Sequence, residues 1–261
     1  MTLRLSKSLT FSLIVTLMAA TCFSACSSDR TTSLSTEDYY LNHLTFGGSG
    51  VVYRYASVND PSLPDELWHY WFSGGYRGNY LKATMYTTSG DVVQRSNEKL
   101  SRDNAELLSL DLVYWDDHGP KEIATTVSDR RTFVFGPIDS VTQSVYHIEY
   151  WDTSEDSVRV SLTKRRVMEG PVDFVFEGES IPAIVVNTTE KLETETEGFT
   201  ETEWSGIEIF AQGYGLVYYK KTISEQFVLE YSLAEVMGYG TFLGRYLNQK
   251  SQQIIPQGNE Q

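Results

Sequence analysis

Apolar and polar residues alternate through most of this chain. In "FVLEYSL", Phe227, Leu229, Tyr231 and Leu233 share one face, with Glu230 and Ser232 on the other. In "SVRVSLT", Val158, Val160 and Leu162 alternate with Arg159, Ser161 and Thr163. In "LLSLDLVY", Leu108, Leu110, Leu112 and Tyr114 stand opposite Ser109 and Asp111. A repeat of two describes strands with one buried and one wetter face. Turn formers lie between them: "TTSGD" at 87–91, "DTSEDS" at 152–157 and "SEQ" at 224–226, with breaks at "HGP" 118–120 and "EGP" 169–171. The pattern predicts a mainly β protein made of antiparallel hairpins. A curved antiparallel sheet or open β-barrel with few short helices is the expected form, and a β-sandwich is the alternative.

Helical spacing is scarce. "SNEKLSRDNAELL" from Ser96 predicts one short helix, because Leu100, Leu107 and Leu108 fall on one side. "SLAEVMGYGTFLGRYLN" is interrupted by Gly238, Gly240 and Gly244, which leaves room for a turn or two. "TTEKLETETEGFTETEWSG" from Thr188 carries six glutamates between Glu190 and Glu203 against the single Lys191. It predicts a solvated hairpin or loop whose threonines favour strand and whose charges discourage edge-to-edge pairing. A divalent cation site is the competing reading, since hard cations take several carboxylate oxygens. No aspartate-glycine loop spacing supports it.

The start of the chain breaks the pattern. Arg4 and Lys7 precede an apolar run from Leu9 to Ala20. That is too short for a spanning helix, which needs about 20 residues, and it fits the core of an export signal. Cutting before Cys26 would put the bulky Phe23 at −3, against ordinary signal-peptidase preference. The "FSAC" stretch instead resembles a bacterial lipobox, with Phe23 bulky, Ser24 and Ala25 small and Cys26 the acceptor. The resemblance implies that Cys26 is acylated and becomes the mature N-terminus. Two or more acyl chains hold a protein stably to a membrane. Cys22 then leaves with the signal, so the mature domain has no disulfide, cysteine metal site or cysteine nucleophile. The chain divides into a signal peptide at 1–25, acylated Cys26 with a flexible tether to 36, one β-rich domain at 37–247 and a polar tail at 248–261. Ser27 is compatible with outer-membrane sorting, and Asp29 is similar to the early acidic residue of surface lipoproteins in Bacteroidota.

The formal charge is −14, and losing Arg4 and Lys7 makes it −16. Such acidity argues against nucleic acid, whose phosphates need a basic surface, and against lying flat on anionic lipid. Motifs for chemistry are sparse. The histidines are His43, His69, His118 and His147, and none forms the paired-histidine helix of zinc hydrolases. "YWDDHGP" sets Asp116 and Asp117 beside His118, which suits acid–base work but also suits a turn before Gly-Pro. No Gly-x-Ser-x-Gly elbow occurs, and "GGSG" at 47–50 lacks the residues of a phosphate loop. These features favour a non-enzymatic protein that uses no metal or cofactor.

Aromatic residues give the clearest ligand-binding candidates. In "ELWHYWFSGGY", a strand would turn Trp68, Tyr70 and Phe72 to one side and His69 and Trp71 to the other. Exposed aromatic faces stack on sugars or anchor protein partners, so Trp68, Tyr70, Trp71 and Phe72 are the expected contacts. Further on, "IEIFAQGYGLVYYKKTISEQFVLEYSL" places Gly213 and Gly215 before Leu216 and Val217. This stretch resembles the closing hairpin of envelope lipoproteins of the LolA and LppX open-barrel type. That resemblance implies a groove for lipid, although fold does not entail function. The expectation is a lipid-anchored envelope protein whose β domain binds an apolar ligand, lipid or envelope partner. A glycan-binding accessory, a structural envelope component and an unrecognised hydrolase are the alternatives. Replacing Cys26 with Ala should move the protein from the membrane to the soluble fraction. Retention in the membrane fraction would contradict the lipobox reading.

Overall fold

A computed structural model describes residues 34–41, 48–75, 78–140, 142–152, 158–195 and 198–248. The export signal, Cys26, residues 153–157 of the expected turn and the tail beyond 248 lie outside them. The first strands are β1 (Val51–Ser57), β2 (Glu66–Gly75), β3 (Gly78–Tyr86), β4 (Val92–Leu100), β5 (Asn104–Asp116), β6 (Gly119–Ala124) and β7 (Thr126–Val134). They are followed by β8 (Gln143–Asp152), β9 (Val158–Phe176), β10 (Glu179–Glu195), β11 (Phe199–Ala211), β12 (Gly215–Thr222) and β13 (Val228–Gly238).

Neighbouring strands pair antiparallel in the order β4-β3-β2-β1-β13-β12-β11-β10-β9-β8-β7-β5. A further pairing of β4 with β5 closes the ring. The expected curved sheet therefore bends until it meets itself, and the barrel is closed rather than open or split into a sandwich. Strand β5 serves two neighbours along one edge, with Asn104–Glu106 pairing to β7 and Asp111–Asp116 to β6. Thr125 marks the changeover, donating both its amide and its hydroxyl to Leu110 O. Twelve of the thirteen strands thus make the ring, and β6 branches from it.

Two local expectations are corrected. The segment from Ser96 is a hairpin, β4–β5, and not a helix. Ser101 and Asn104 tie its turn through their side chains, as short polar residues do in competition with helix. The Leu107–Leu108 doublet that mimics helical spacing is a bulge: Asn97 pairs with Ser109 and Glu98 with Leu107, which leaves Leu108 extra. Leu107 rather than Leu108 then takes the buried place. Likewise "EGP" does not end a strand. β9 runs through it, with Glu169 as the extra residue of a second bulge opposite Val185 and Val186.

Both ends of the described chain pack on the ring. Thr36–Tyr39 forms one turn of 3-10 helix with Ser35 as its N-cap. Leu34 to Thr36, placed in the tether from sequence, are held in position. Thr36 donates its amide to Gly136 O and its hydroxyl to Val134 O, and accepts from Gly136 N. Tyr39, Tyr40 and Leu41 continue into the barrel's core, where the Tyr40 ring lies 4.9 Å from that of Phe133. At the other terminus, α1 (Tyr239–Phe242) and the turn Leu243–Leu247 cover the outer face. Phe242 is fully buried there against Val52, Leu67 and Met237, a burial that contributes about 2 kcal/mol. His69 stacks on Tyr239 at 4.0 Å and on Trp71 at 4.7 Å, and its Nε2 donates to Ser49 O. Among the described residues, no helix is long and apolar enough to cross a membrane.

The β11–β12 turn shows how tightly the N-terminal segment fits. Gly213 and Gly215 both have positive φ, at 78° and 73°. A Cβ on Gly213 would meet nothing within 4 Å, whereas one on Gly215 would lie 2.7 Å from Leu41 Cγ. Gly213→Ala should cost about 1 kcal/mol from backbone strain alone. Gly215→Ala should cost at least about 1 kcal/mol more, because it also overpacks the core. Urea unfolding of the two variants measures the difference, and equal losses would show that Leu41 does not press on the turn.

Candidate functional site

A ring of about eight strands is just filled by its own side chains, and one of 16 or more leaves a channel. Twelve lies between these limits. The interior here holds a cavity of about 400 Å³ that the tyrosines, long charged residues and Tyr40–Leu41 do not fill. Two parts of its lining stand out. Strands β2, β1 and β12 supply an aromatic wall, and β11, β10 and β9 supply a charged one, while β3, β4 and β5 add Leu81, Met85, Gln94, Ser96, Glu98 and Leu107.

On the charged wall, period-two spacing sends Lys164 and Arg166 inward from β9, Glu190 from β10 and Glu208 from β11. Lys164 Nζ lies 2.8 Å from Glu190 and 2.6 Å from Glu208. Arg166 grips Glu208 with two nitrogens, at 2.6 and 3.2 Å, and donates to Thr132 O with a third. Lys221, from β12, reaches Glu190 at 2.6 Å, and Trp204 Nε1 donates to the same carboxylate at 3.0 Å. Burial by itself would push both carboxyls up. The cations override it and hold Glu190 and Glu208 down at about 2. Glu98, on β4, is in the opposite state. Burial raises its carboxyl above the ordinary range, against a hydrogen bond donated by Tyr40 Oη and the nearby Arg166 charge.

The aromatic wall is built from Tyr55, Trp68, Tyr70 and Tyr219, backed by Tyr53 and Tyr231. Trp68 stacks on Tyr70 with centroids 6.1 Å apart, and Tyr219 stacks on Tyr231 at 5.3 Å. Tyr55 Oη donates to Leu216 O and Tyr231 Oη to Pro64 O, which fixes both rings. Glu66 enters this wall at the start of β2. It accepts from Trp68 Nε1 at 2.9 Å and is hydrogen-bonded to Tyr219.

Of the aromatic residues singled out in the sequence, Trp68 and Tyr70 line the cavity. Phe72 packs against the same core cluster. Trp71 faces outward beside His69, as strand parity requires. Asp117 and His118 form the exposed turn between β5 and β6, and Asp116 ends β5. The glutamate-rich segment is the β10–β11 hairpin, but it is not wholly solvated, because Glu190 is only 4% exposed. Among the described residues, no group of three or more His, Cys, Asp or Glu could hold a metal ion.

Sequence reasoning missed Lys164, Arg166, Glu190, Glu208, Glu98 and Glu66. A signal did exist for the first two. Val160, Leu162, Lys164, Arg166 and Met168 share one parity, so two cations stand inside an otherwise apolar face. The run "TKRRV" obscures that parity, because Arg165 is charged as well.

No protein-family model matches the chain, and no curated protein matches it. Solved structures similar to it include a presumed lipoprotein from Parabacteroides distasonis ATCC 8503, 10% identical, covering 72% of this chain and 95% of that one with a TM-score of 0.46. Another is a presumed exported protein with a YmcC-like fold from Bacteroides fragilis NCTC 9343, 10% identical, covering 74% and 97% with a TM-score of 0.48. At this identity neither carries a residue role to this chain.

The charged wall makes a stability prediction. Glu208→Gln leaves Lys164 and Arg166 buried without their shared carboxylate and should cost about 3 kcal/mol or more. Because Glu190 and Glu208 titrate at about 2, below the ordinary 4.5, their contribution is complete above pH 4.5. It is lost as the pH falls through 2. Melting temperature followed from pH 6 to pH 2 should therefore drop more steeply in the wild type than in Glu208→Gln. Parallel curves would refute the assignment.

Proposed function

We propose that this chain is a non-enzymatic, lipid-anchored protein of a bacterial envelope whose barrel holds one small ligand in its interior. The lipobox resemblance at Cys26 supports the anchor. The observation that carries the binding role is the cavity of about 400 Å³, which lies within the usual size range for small-molecule sites. Its two walls support a ligand with an apolar or aromatic body and a polar end. A bare acyl chain fits less well. It would leave Glu66, Gln94, Ser96 and Glu98, all of which line the space, facing hydrocarbon. The non-enzymatic part of the reading is supported by the charged wall, where Lys164, Arg166, Glu190 and Glu208 are engaged with one another.

Ser96 offers a direct test. It lines the cavity from β4 and makes none of the wall's ion pairs. Ser96→Trp should fill the space and reduce binding at least tenfold while the melting temperature stays within a few degrees. Native mass spectrometry of wild type and variant, purified alike, reads this as loss of a co-purifying small molecule. Equal occupancy in the two proteins would overturn the reading.

A further inference from the structure

We propose that the ligand presents an organic cation, an alkylated ammonium group, to Glu66 on the aromatic wall. This rests on the reading of the cavity as a binding site and adds the chemistry of the ligand's head. Glu66 is fixed by two neutral donors, Trp68 Nε1 and the Tyr219 hydroxyl. Among the described residues, no lysine, arginine or histidine lies within ion-pair distance of its carboxylate. That sets it apart from Glu190 and Glu208, each of which has two cations.

The groups around Glu66 are suited to a positive charge. Trp68, Tyr55, Tyr70 and Tyr219 line the same cavity, and tryptophan and tyrosine faces attract cations, alkylated ammonium groups in particular. Tyr219 lies 6.3 Å from Tyr55 and 5.3 Å from Tyr231, so the rings form a continuous wall beside the carboxylate. An anionic head would have to compete with Glu190 and Glu208 for Lys164, Arg166 and Lys221, and with Glu230 for Lys220, whereas a cation meets a carboxylate with no positive partner. The net charge of −14 adds a long-range field that draws cations toward the protein.

The test compares choline with its neutral isostere 3,3-dimethylbutan-1-ol, which has the same shape and hydroxyl but no charge. Titration of the intact chain in a neutral detergent, followed calorimetrically, should show choline binding about tenfold more tightly than the alcohol, the size of one good cation–π or charge contact. Glu66→Gln keeps the acceptor for Trp68 and should erase that preference, lowering choline affinity about tenfold and leaving the alcohol unchanged. Trp68→Leu serves as the second variant and should also weaken choline about tenfold. Equal binding of the two probes, or choline affinity unmoved in a folded variant, would overturn the cation assignment. So would failure of choline to bind at millimolar concentration. The Ser96→Trp comparison stays independent of all these outcomes, because it asks whether the cavity is occupied at all and not what charge the occupant bears.

Discussion

Closing twelve strands into one ring fixes nearly everything else about this protein. An open sheet can adjust its curvature until small aliphatic side chains cover one face. A closed ring has a set circumference, and at this size the circumference encloses more volume than Val, Leu and Ile can fill. The molecule meets that volume with its largest residues. Tyrosines project from β1, β2, β12 and β13, and Lys164, Arg166, Glu190 and Glu208 cross the opposite side. A piece of chain from outside the ring, Tyr39 to Leu41, is drawn in as well. What stays unfilled is the cavity.

A buried charge left unmatched carries a desolvation cost that outweighs any attraction. On the charged wall the buried groups are matched. Glu208 lies between Lys164 and Arg166, and Glu190 between Lys164 and Lys221, so four strands are linked by groups that fit together in one register only. A slip of one residue on β9 would replace Lys164 and Arg166 with Thr163 and Arg165 and turn the cations outward. The outer wall carries charge of a different kind. Arg54 with Asp65, Arg159 with Glu149 and Lys191 with Glu201 are partly exposed pairs, each contributing little alone. Charged pairs of this sort are unlike the side chains of the apolar band on a barrel that spans lipid.

The site was legible in the sequence only on its aromatic side. "ELWHYWF" has one parity, and knowing that it is a strand is enough to put Trp68, Tyr70 and Phe72 together. The charged side was not legible, and "IEIF" shows why. Alternation there reads naturally as Ile207 and Ile209 facing in with Glu208 in water. In the barrel Ile207 is 38% exposed and Glu208 is 4% exposed. A strand's pattern defines two faces but does not name the inner one, and the usual rule that the apolar face is buried fails where neighbouring strands of the same wall supply cations.

The sequence by itself determined the strands, most of their turns and the acidity of the whole, since each depends on residues adjacent in the chain or on their sum. Even the two misread segments, at Ser96 and at Glu169, were misread by one inserted residue. Tertiary structure alone decided that β4 meets β5 to close the ring and that Tyr39, Tyr40 and Leu41 pack into the core. It alone brought Glu66 to Tyr219, and Glu208 to Lys164 and Arg166. Those partners lie far apart along the chain, and ring closure, a property of all twelve strands together, is what carries them to one interior.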